Sequence, residues 1–380
     1  RVPAALNNIV GLKPTLGALS ASGVVPACRS IETISIFALT VGDAYAAYQV
    51  CCAYDPADAF ARPIAAPALT AASAPPVIGI PSPDTIEFMG DAVQSASFYA
   101  AVDLLRAEGA TIQEIDFKPL YDVAHMLYEG AWVAERYTVI EDLLKSDPQA
   151  IHPVTRQIIC KAEDLSAADA FRGIYRLKEL ARAAEPSLAG VDMLCVPTIP
   201  RFHTVAELEA DPVTPNSNFG TYTNFVNLLD MCGIAVPVPA RSDGRPGSVT
   251  MLAAAGKDAE IAVMARSLEA AGQRKLGATD WAYTPPPGLP QGAATTLRLA
   301  VCGAHMAGSG APIALELWDV PLAHVGSFLG GIPAPLGLGT IVLEDGSQVQ
   351  GFMCEAIATA DAKDITEMGD WRRYIASLAG

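Results

Sequence analysis

The sequence predicts an α/β domain with helices packed around a mostly buried sheet, followed by a small β-rich α+β domain. Three observations carry this. Helix-period and strand-period segments alternate over most of the chain, three consecutive prolines follow Thr284, and the pattern beyond them changes to closely spaced strands. The boundaries drawn from these signals are 1–280 for the large domain, 281–296 for a Pro-rich linker and 297–380 for the small domain. A chain of 380 residues and 39.7 kDa has room for both, with a sizeable core.

Taken in order, the segment from Arg62 to Pro76 is rich in Ala and Pro and is expected to cross the surface between two halves of the large domain. Val77–Ile80 is a short apolar run bounded by Pro, the mark of a buried strand. Asp91–Glu108 carries Val93, Ala96, Ala100 and Leu104 at helical spacing and stops at Gly109. Thr111–Phe117 then alternates like a half-buried strand. Asp122–Leu144 reads as one long helix, with Val123, Met126, Leu127, Gly130, Ala131 and Ala134 forming an apolar stripe whose later members are small. Met193–Val196 and Val249–Leu252 are further apolar strands. The run Thr284-Pro-Pro-Pro-Gly-Leu-Pro cannot sit inside a helix or a central strand, because proline lacks the N–H that either ladder needs. Beyond it Leu299–Cys302, Ala314–Val320, Thr340–Leu343 and Val349–Cys354 read as strands, the last two joined by an Asp345-Gly346 turn.

Composition narrows the function classes. Hydrophobic residues make up 51% and charged residues 17%, a globular balance and not a disordered one. A net charge of −16 leaves no basic stripe for tracking a phosphate backbone. The most apolar stretch, near Leu39, is interrupted by Asp43 before it reaches membrane-spanning length. Eight cysteines stand at irregular spacings, mostly in apolar segments and without a Cys-x-x-Cys pair. They read as small buried hydrophobes in a reducing, cytoplasmic setting. The five histidines show no zinc spacing, so a zinc site has little support. The chain opens at Arg1-Val2-Pro3 with neither an initiator Met nor a signal peptide, and is expected to be a piece of something longer.

Four residues and one cluster are candidates for chemistry. Tyr128, Trp132 and Arg136 recur at i, i+4, i+8 on the side opposite the apolar stripe. Either that helix is buried on both sides, with Arg136 paired to Glu135 or Glu129, or it forms a pocket wall. In the second case Arg136 is a fork for a carboxylate and Tyr128 an orienting hydroxyl. The polar run Asn216–Asn227 suits helix capping better than substrate contact. His305 follows one strand of the small domain and Glu355 ends another. They are either an acid–base pair at a cavity mouth or a structural histidine and a surface carboxylate, and pattern favours the latter. No Gly-x-Ser-x-Gly elbow or phosphate loop occurs.

The opening Arg1-Val-Pro-Ala-Ala-Leu-Asn-Asn-Ile-Val-Gly-Leu-Lys-Pro-Thr15 resembles the segment that closes the amidase signature. Tyr128-Glu-Gly-Ala-Trp-Val-Ala-Glu-Arg136-Tyr137 and Gly220-Thr-Tyr-Thr-Asn-Phe-Val-Asn-Leu-Leu-Asp230 are similar to segments of the allophanate hydrolases within that family. So are Val301-Cys-Gly-Ala-His305, Ile332-Pro-Ala-Pro-Leu-Gly-Leu-Gly339, Gly351-Phe-Met-Cys-Glu355 and the ending Asp364-Ile-Thr…Trp371-Arg372. The resemblance implies an amidase-signature mixed sheet flanked by helices and a small γ-glutamyl-cyclotransferase-like α+β domain. It implies release of ammonia from allophanate, with Arg136 gripping the substrate carboxylate and Tyr128 hydrogen-bonding it. The C-terminal domain would assist decarboxylation of N-carboxycarbamate through His305, with Glu355 a weaker candidate. A homodimer and a urea carboxylase as functional partner are implied as well. The family's serine nucleophile belongs two residues before Arg1, and its cis-serine and lysine further upstream, so no residue of this sequence is assigned as nucleophile, base or oxyanion donor. The family also has an extra segment after His305, where this chain reads Gly308-Ser309-Gly310. The competing readings are a general amidase acting on neutral amides and a catalytically inactive fragment serving as a scaffold.

Overall fold

Strands that are apolar at every position, and not at every second one, require cover on both faces, and the centre of the large sheet is built from such strands. The computed structural model describes residues 1–128, 130–272, 275–290, 296–301, 315–321, 325, 328, 331–332, 336–345, 348–354, 365–369 and 371–378. The chain forms two units, Arg1–Gln291 and Gly292–Gly380. The first holds a mixed sheet of seven strands: β1 (Val10–Lys13), β2 (Ile36–Ala38), β3 (Val77–Pro81), β4 (Thr111–Ile115), β5 (Met193–Pro197), β6 (Met231–Val238) and β7 (Gly247–Ala254), in the order β2-β1-β6-β7-β5-β3-β4. Strands β3, β4 and β5 run parallel, and the other neighbours are antiparallel. Every residue of β1, β5 and β6 is buried, whereas the edge strands β2 and β4 are partly exposed.

Eleven helices of this unit are described: α1 (Val2–Leu6), α2 (Val41–Cys51), α3 (Ala92–Ala107), α4 (Lys118–His125), α5 (Ala131–Ser146), α6 (Pro153–Ile159), α7 (Ala167–Leu188), α8 (Val205–Ala210), α9 (Thr214–Phe219), α10 (Asn224–Leu228) and α11 (Asp258–Ala271). Two layers follow from the strand period of two. Met193, Cys195 and Met251 pack with Tyr45, Phe98 and Leu268 of α2, α3 and α11. Leu194, Val196 and Leu252 pack with Leu120, Leu180 and Phe225 of α4, α7 and α10. The predicted helix Asp91–Glu108 matches α3, capped by Asp91, which accepts from the Gln94 N–H at 2.8 Å, and followed by Gly109 at φ +93°. The segment after Arg62 lies along α2, whose Tyr45 hydroxyl and Gln49 amide donate to the Pro67 carbonyl.

The long helix expected over Asp122–Leu144 is not continuous. Helix α4 ends at His125, a 3₁₀ turn covers Met126–Tyr128, and Gly130 stands at φ +67° and ψ −126° before α5 begins. Only glycine adopts that conformation without strain, so the small residue read as part of an apolar stripe is a break.

The second unit is described in part. Its sheet has the order β10-β11-β8-β9, with β8 (Thr296–Val301), β9 (Glu316–Pro321), β10 (Leu336–Val342) and β11 (Gln348–Cys354). Strands β10 and β11 pair antiparallel from Leu336↔Cys354 to Val342↔Gln348, so the chain reverses between Val342 and Gln348. Strand β8 pairs parallel with β11 and antiparallel with β9, and a helix spans Trp371–Leu378.

One buried cation ties α3 to the β6–β7 hairpin. Arg241 has a side chain 1% exposed and bonds Asp91 at 3.0 Å, Asp243 at 2.9 Å and the Gln94 carbonyl oxygen at 2.5 Å, with its face 4.7 Å from the Phe202 ring. The hydrogen bond from Arg241 holds Asp243 down at about 2. At Asp91 burial acts upward, but the Gln94 N–H and Arg241 outweigh it and the carboxyl is lowered. Both folded values lie below the ordinary carboxylate value of about 4, so their stabilisation is complete above that pH and is lost as pH falls toward 2. Arg241→Ala is expected to cost about 3 kcal/mol in urea unfolding at pH 7, because it strands two carboxylates. The same variant is expected to flatten the decline in stability between about pH 4 and 2.

Candidate active site

The helix break decides which of the predicted residues meet. Tyr128 projects from the 3₁₀ turn ahead of Gly130, and the Arg136 guanidinium lies 4.6 Å from the centre of its ring. Stacking uses the face of the guanidinium and leaves its edge N–H groups available to a partner in the ring plane. Trp132, expected in the same row, is buried in the core with Leu180 and Phe225. The 3₁₀ turn and Gly130 shift the phase between Tyr128 and α5, so an i, i+4 relation across them no longer means a shared face. His305 and Glu355 lie outside the described residues.

Arg136 is not neutralised by its sequence neighbour. The Glu135 carboxylate accepts the Ser30 N–H at 2.6 Å and the Ser30 hydroxyl at 2.7 Å. Among the described residues no carboxylate forms an ion pair with Arg136. Cys28 is buried beside it, with its Sγ 3.5 Å from the Trp132 carbonyl. Burial pushes the Cys28 thiol up, and the adjacent Arg136 opposes that shift.

From this point a run of contacts leads to Arg1. The Ile31 carbonyl accepts the Asn227 side-chain amide at 2.8 Å, Asn227 belongs to α10, and Thr223 at the start of α10 accepts Arg1 Nη2 on its carbonyl at 3.2 Å. The polar run Asn216–Asn227 therefore does not serve mainly as helix caps. Thr223 precedes α10 at φ −124° and ψ −29°, outside the extended geometry that aims a capping oxygen at the helix, and its hydroxyl donates to the Phe219 carbonyl. Tyr222 accepts from the Glu87 N–H at 2.7 Å and donates to the Glu87 carbonyl at 2.9 Å, while Asn218 reaches His203 at 3.4 Å. Tyr222, Asn218 and Asn227 thus join separate segments, while Asn216, Ser217 and Thr221 donate to backbone carbonyls three or four residues earlier.

Below them sits a polar group that sequence reasoning passed over. Lys13 ends the fully buried β1, is itself 3% exposed, and donates to the Pro14 carbonyl at 2.7 Å. Two residues on, Thr15 gives its N–H (2.9 Å) and hydroxyl (2.6 Å) to Asp258, and its oxygen accepts the Gly256 N–H at 2.7 Å. Burial pushes the Lys13 ammonium down to about 7, with Arg1 adding to the shift. Burial also pushes Asp258 up, against the Thr15 bonds. The only sequence signal was a charged residue between Gly11-Leu12 and Pro14, which periodicity does not distinguish from an exposed strand end. Among the described residues no cluster of His, Cys, Asp and Glu suits a metal ion, and no helix is long and apolar enough to cross a membrane.

Comparison with known proteins places this geometry. The amidase family profile matches residues 1–262. The chain belongs to the amidase family. Beyond that match, the profile of the allophanate hydrolase C-terminal domain covers residues 307–376. The urea amidolyase of Saccharomyces cerevisiae is 34% identical over 438 aligned positions, which take in 100% of this chain and 24% of that protein. The urea amidolyase of Lachancea kluyveri matches at the same identity over 99% of this chain and 24% of its own length. The chain thus spans about a quarter of the length of those curated relatives. An allophanate hydrolase structure from Kluyveromyces lactis superposes with a TM-score of 0.76 at 32% identity, covering 100% of this chain and 71% of that one. Its mixed sheet flanked by helices is the architecture found here.

The Lys13 folded-state value lies below the ordinary lysine value of about 10.4. The unfolded chain then holds the extra proton between about pH 7 and 10, and stability rises with pH across that window. Below it lysine is charged in both states and the burial cost is felt in full. Lys13→Met is expected to be the more stable protein at pH 6 and to lose that rise, as read by urea unfolding across the pH range.

Proposed function

We propose that the protein hydrolyses allophanate, releasing ammonia in the breakdown of urea. The observation that carries the reading is the ring-stacked Arg136 beside Tyr128, which forms no ion pair among the described residues. On a chain of net charge −16, a small anionic substrate needs such a local cation. The similarity to proteins named urea amidolyase and allophanate hydrolase over the whole chain supports it.

In this proposal the Arg136 edge forms a charge-assisted, forked pair with the substrate carboxylate and the Tyr128 hydroxyl adds a hydrogen bond. A neutral amide leaves the guanidinium without a partner, so the site selects against it. A serine of the family type attacks the terminal amide carbonyl, the tetrahedral intermediate expels ammonia to leave the acyl-enzyme, and water releases N-carboxycarbamate. The C-terminal unit assists decarboxylation of that product, with His305 as the first candidate and Glu355 as the second. The protein acts as a homodimer in the cytoplasm, alongside a urea carboxylase that supplies the substrate.

Arg136→Ala is expected to lower kcat/KM for allophanate by about 3 kcal/mol, roughly a hundredfold, while turnover of a neutral amide stays within about threefold. Equal effects on both substrates would exclude the reading in favour of a general amidase. Tyr128→Phe keeps the stacked ring and is expected to cost only about 1 kcal/mol. Removing everything after Thr284 is expected to leave ammonia release largely intact and to slow carbon dioxide formation. Complete loss of ammonia release in a folded truncation would refute that division of labour.

A further inference from the structure

An arginine that recognises a carboxylate is useful only if the protein's own carboxylates are kept off it, and the nearest one in sequence is the preceding residue. Cys28, two residues before Ser30, feels both charges, Glu135 raising its thiol and Arg136 lowering it. Yet both Glu135 oxygens are taken, one by the Ser30 N–H and the other by the Ser30 hydroxyl. Arg29, the other cation of that turn, is occupied with the Phe60 ring at 5.4 Å. The turn Arg29–Ile31 is in addition anchored by Asn227 through the Ile31 carbonyl.

We infer that Ser30 and Glu135 are a specificity-positioning pair: Ser30 holds the Glu135 carboxylate away from Arg136, so that the guanidinium edge stays open to an anionic substrate. This rests on the proposal that Arg136 binds the substrate carboxylate. The pair acts through Arg136 and touches no reacting atom. Loss of the Ser30 hydroxyl frees one Glu135 oxygen, and Arg136 is the cation next to it in sequence. A carboxylate paired there competes with substrate for the same forked donors.

Binding to the full protein tests this without requiring turnover. Acetoacetate keeps the shape and charge of allophanate but offers no amide to cleave, and its methyl ester is the neutral control. Ser30→Ala is expected to weaken acetoacetate binding about tenfold, the scale of one hydrogen bond to a charged group, and to leave the ester unchanged. Ser30→Thr, which keeps the hydroxyl, is expected to bind like the parent. The double variant Ser30→Ala/Glu135→Gln is expected to recover acetoacetate binding, because the freed side chain no longer carries charge. A merely structural role for the turn predicts no such recovery.

Parent-like acetoacetate binding in Ser30→Ala, or a double variant that remains weak, overturns the inference while leaving the Arg136 reading in place. A parent protein that does not prefer acetoacetate to its ester, with Arg136→Ala unchanged from it, overturns the Arg136 reading and this inference together.

Discussion

The centre of the large sheet is covered on both faces, and any polar group placed there must find its partner inside the protein. Strands β1, β5 and β6 expose no residue, and β7 exposes only its last. The polar side chains in this region are accordingly chained together. Thr198 pairs with Ser248 at 2.9 Å and accepts from Thr250 at 3.0 Å, and Thr15 satisfies Asp258 twice. Lys13 is the costly member, a single ammonium with one carbonyl acceptor among buried neighbours. Such a centre is rigid, because no member of the network can move without leaving another unsatisfied.

That rigidity displaces adaptable recognition to the segments outside the sheet. Tyr128, Arg136, Ser30, Cys28 and Asn227 come from a 3₁₀ turn, a helix, a loop and a short second helix. None of them is in a strand. They are held by side chain to backbone bonds across more than a hundred residues of sequence, as in Ser30 to Glu135 and Asn227 to Ile31. Loops carried on a packed scaffold suit substrate recognition, since their side chains can change without disturbing the core.

Two arginines show how the same residue type is assigned opposite roles. Arg241 is almost wholly enclosed and has two carboxylates, an amide and an aromatic face as partners, so it is a fixture of the fold. Arg136 has an aromatic face and a thiol beside it and, among the described residues, no carboxylate paired with it, while the neighbouring acid is engaged elsewhere. The difference lies in partner count and not in sequence context, since Asp243 and Glu135 each lie within two residues of their arginine.

The sequence by itself determined the elements whose signals are local. Helix α3 between Asp91 and Gly109, the apolar strands β3, β5 and β7 and the antiparallel pairing of β10 with β11 follow from periodicity and turn chemistry that neighbouring residues impose. That Tyr128 and Arg136 belong together was anticipated, but the spacing argument assumed a continuous helix that the break at Gly130 removes. Only the tertiary structure decided the rest. Gly130 fits an apolar stripe as well as it fits a break, and its positive φ is selected by how α5 must dock; the same docking buries Trp132. The amides and hydroxyls of Asn216–Asn227 carry equal capping potential, and the distant backbone groups of Glu87 and Ile31 claim two of them. Whether a charged residue such as Lys13, Glu135 or Arg136 is buried, occupied or open depends on partners tens to hundreds of residues away, which no local pattern encodes.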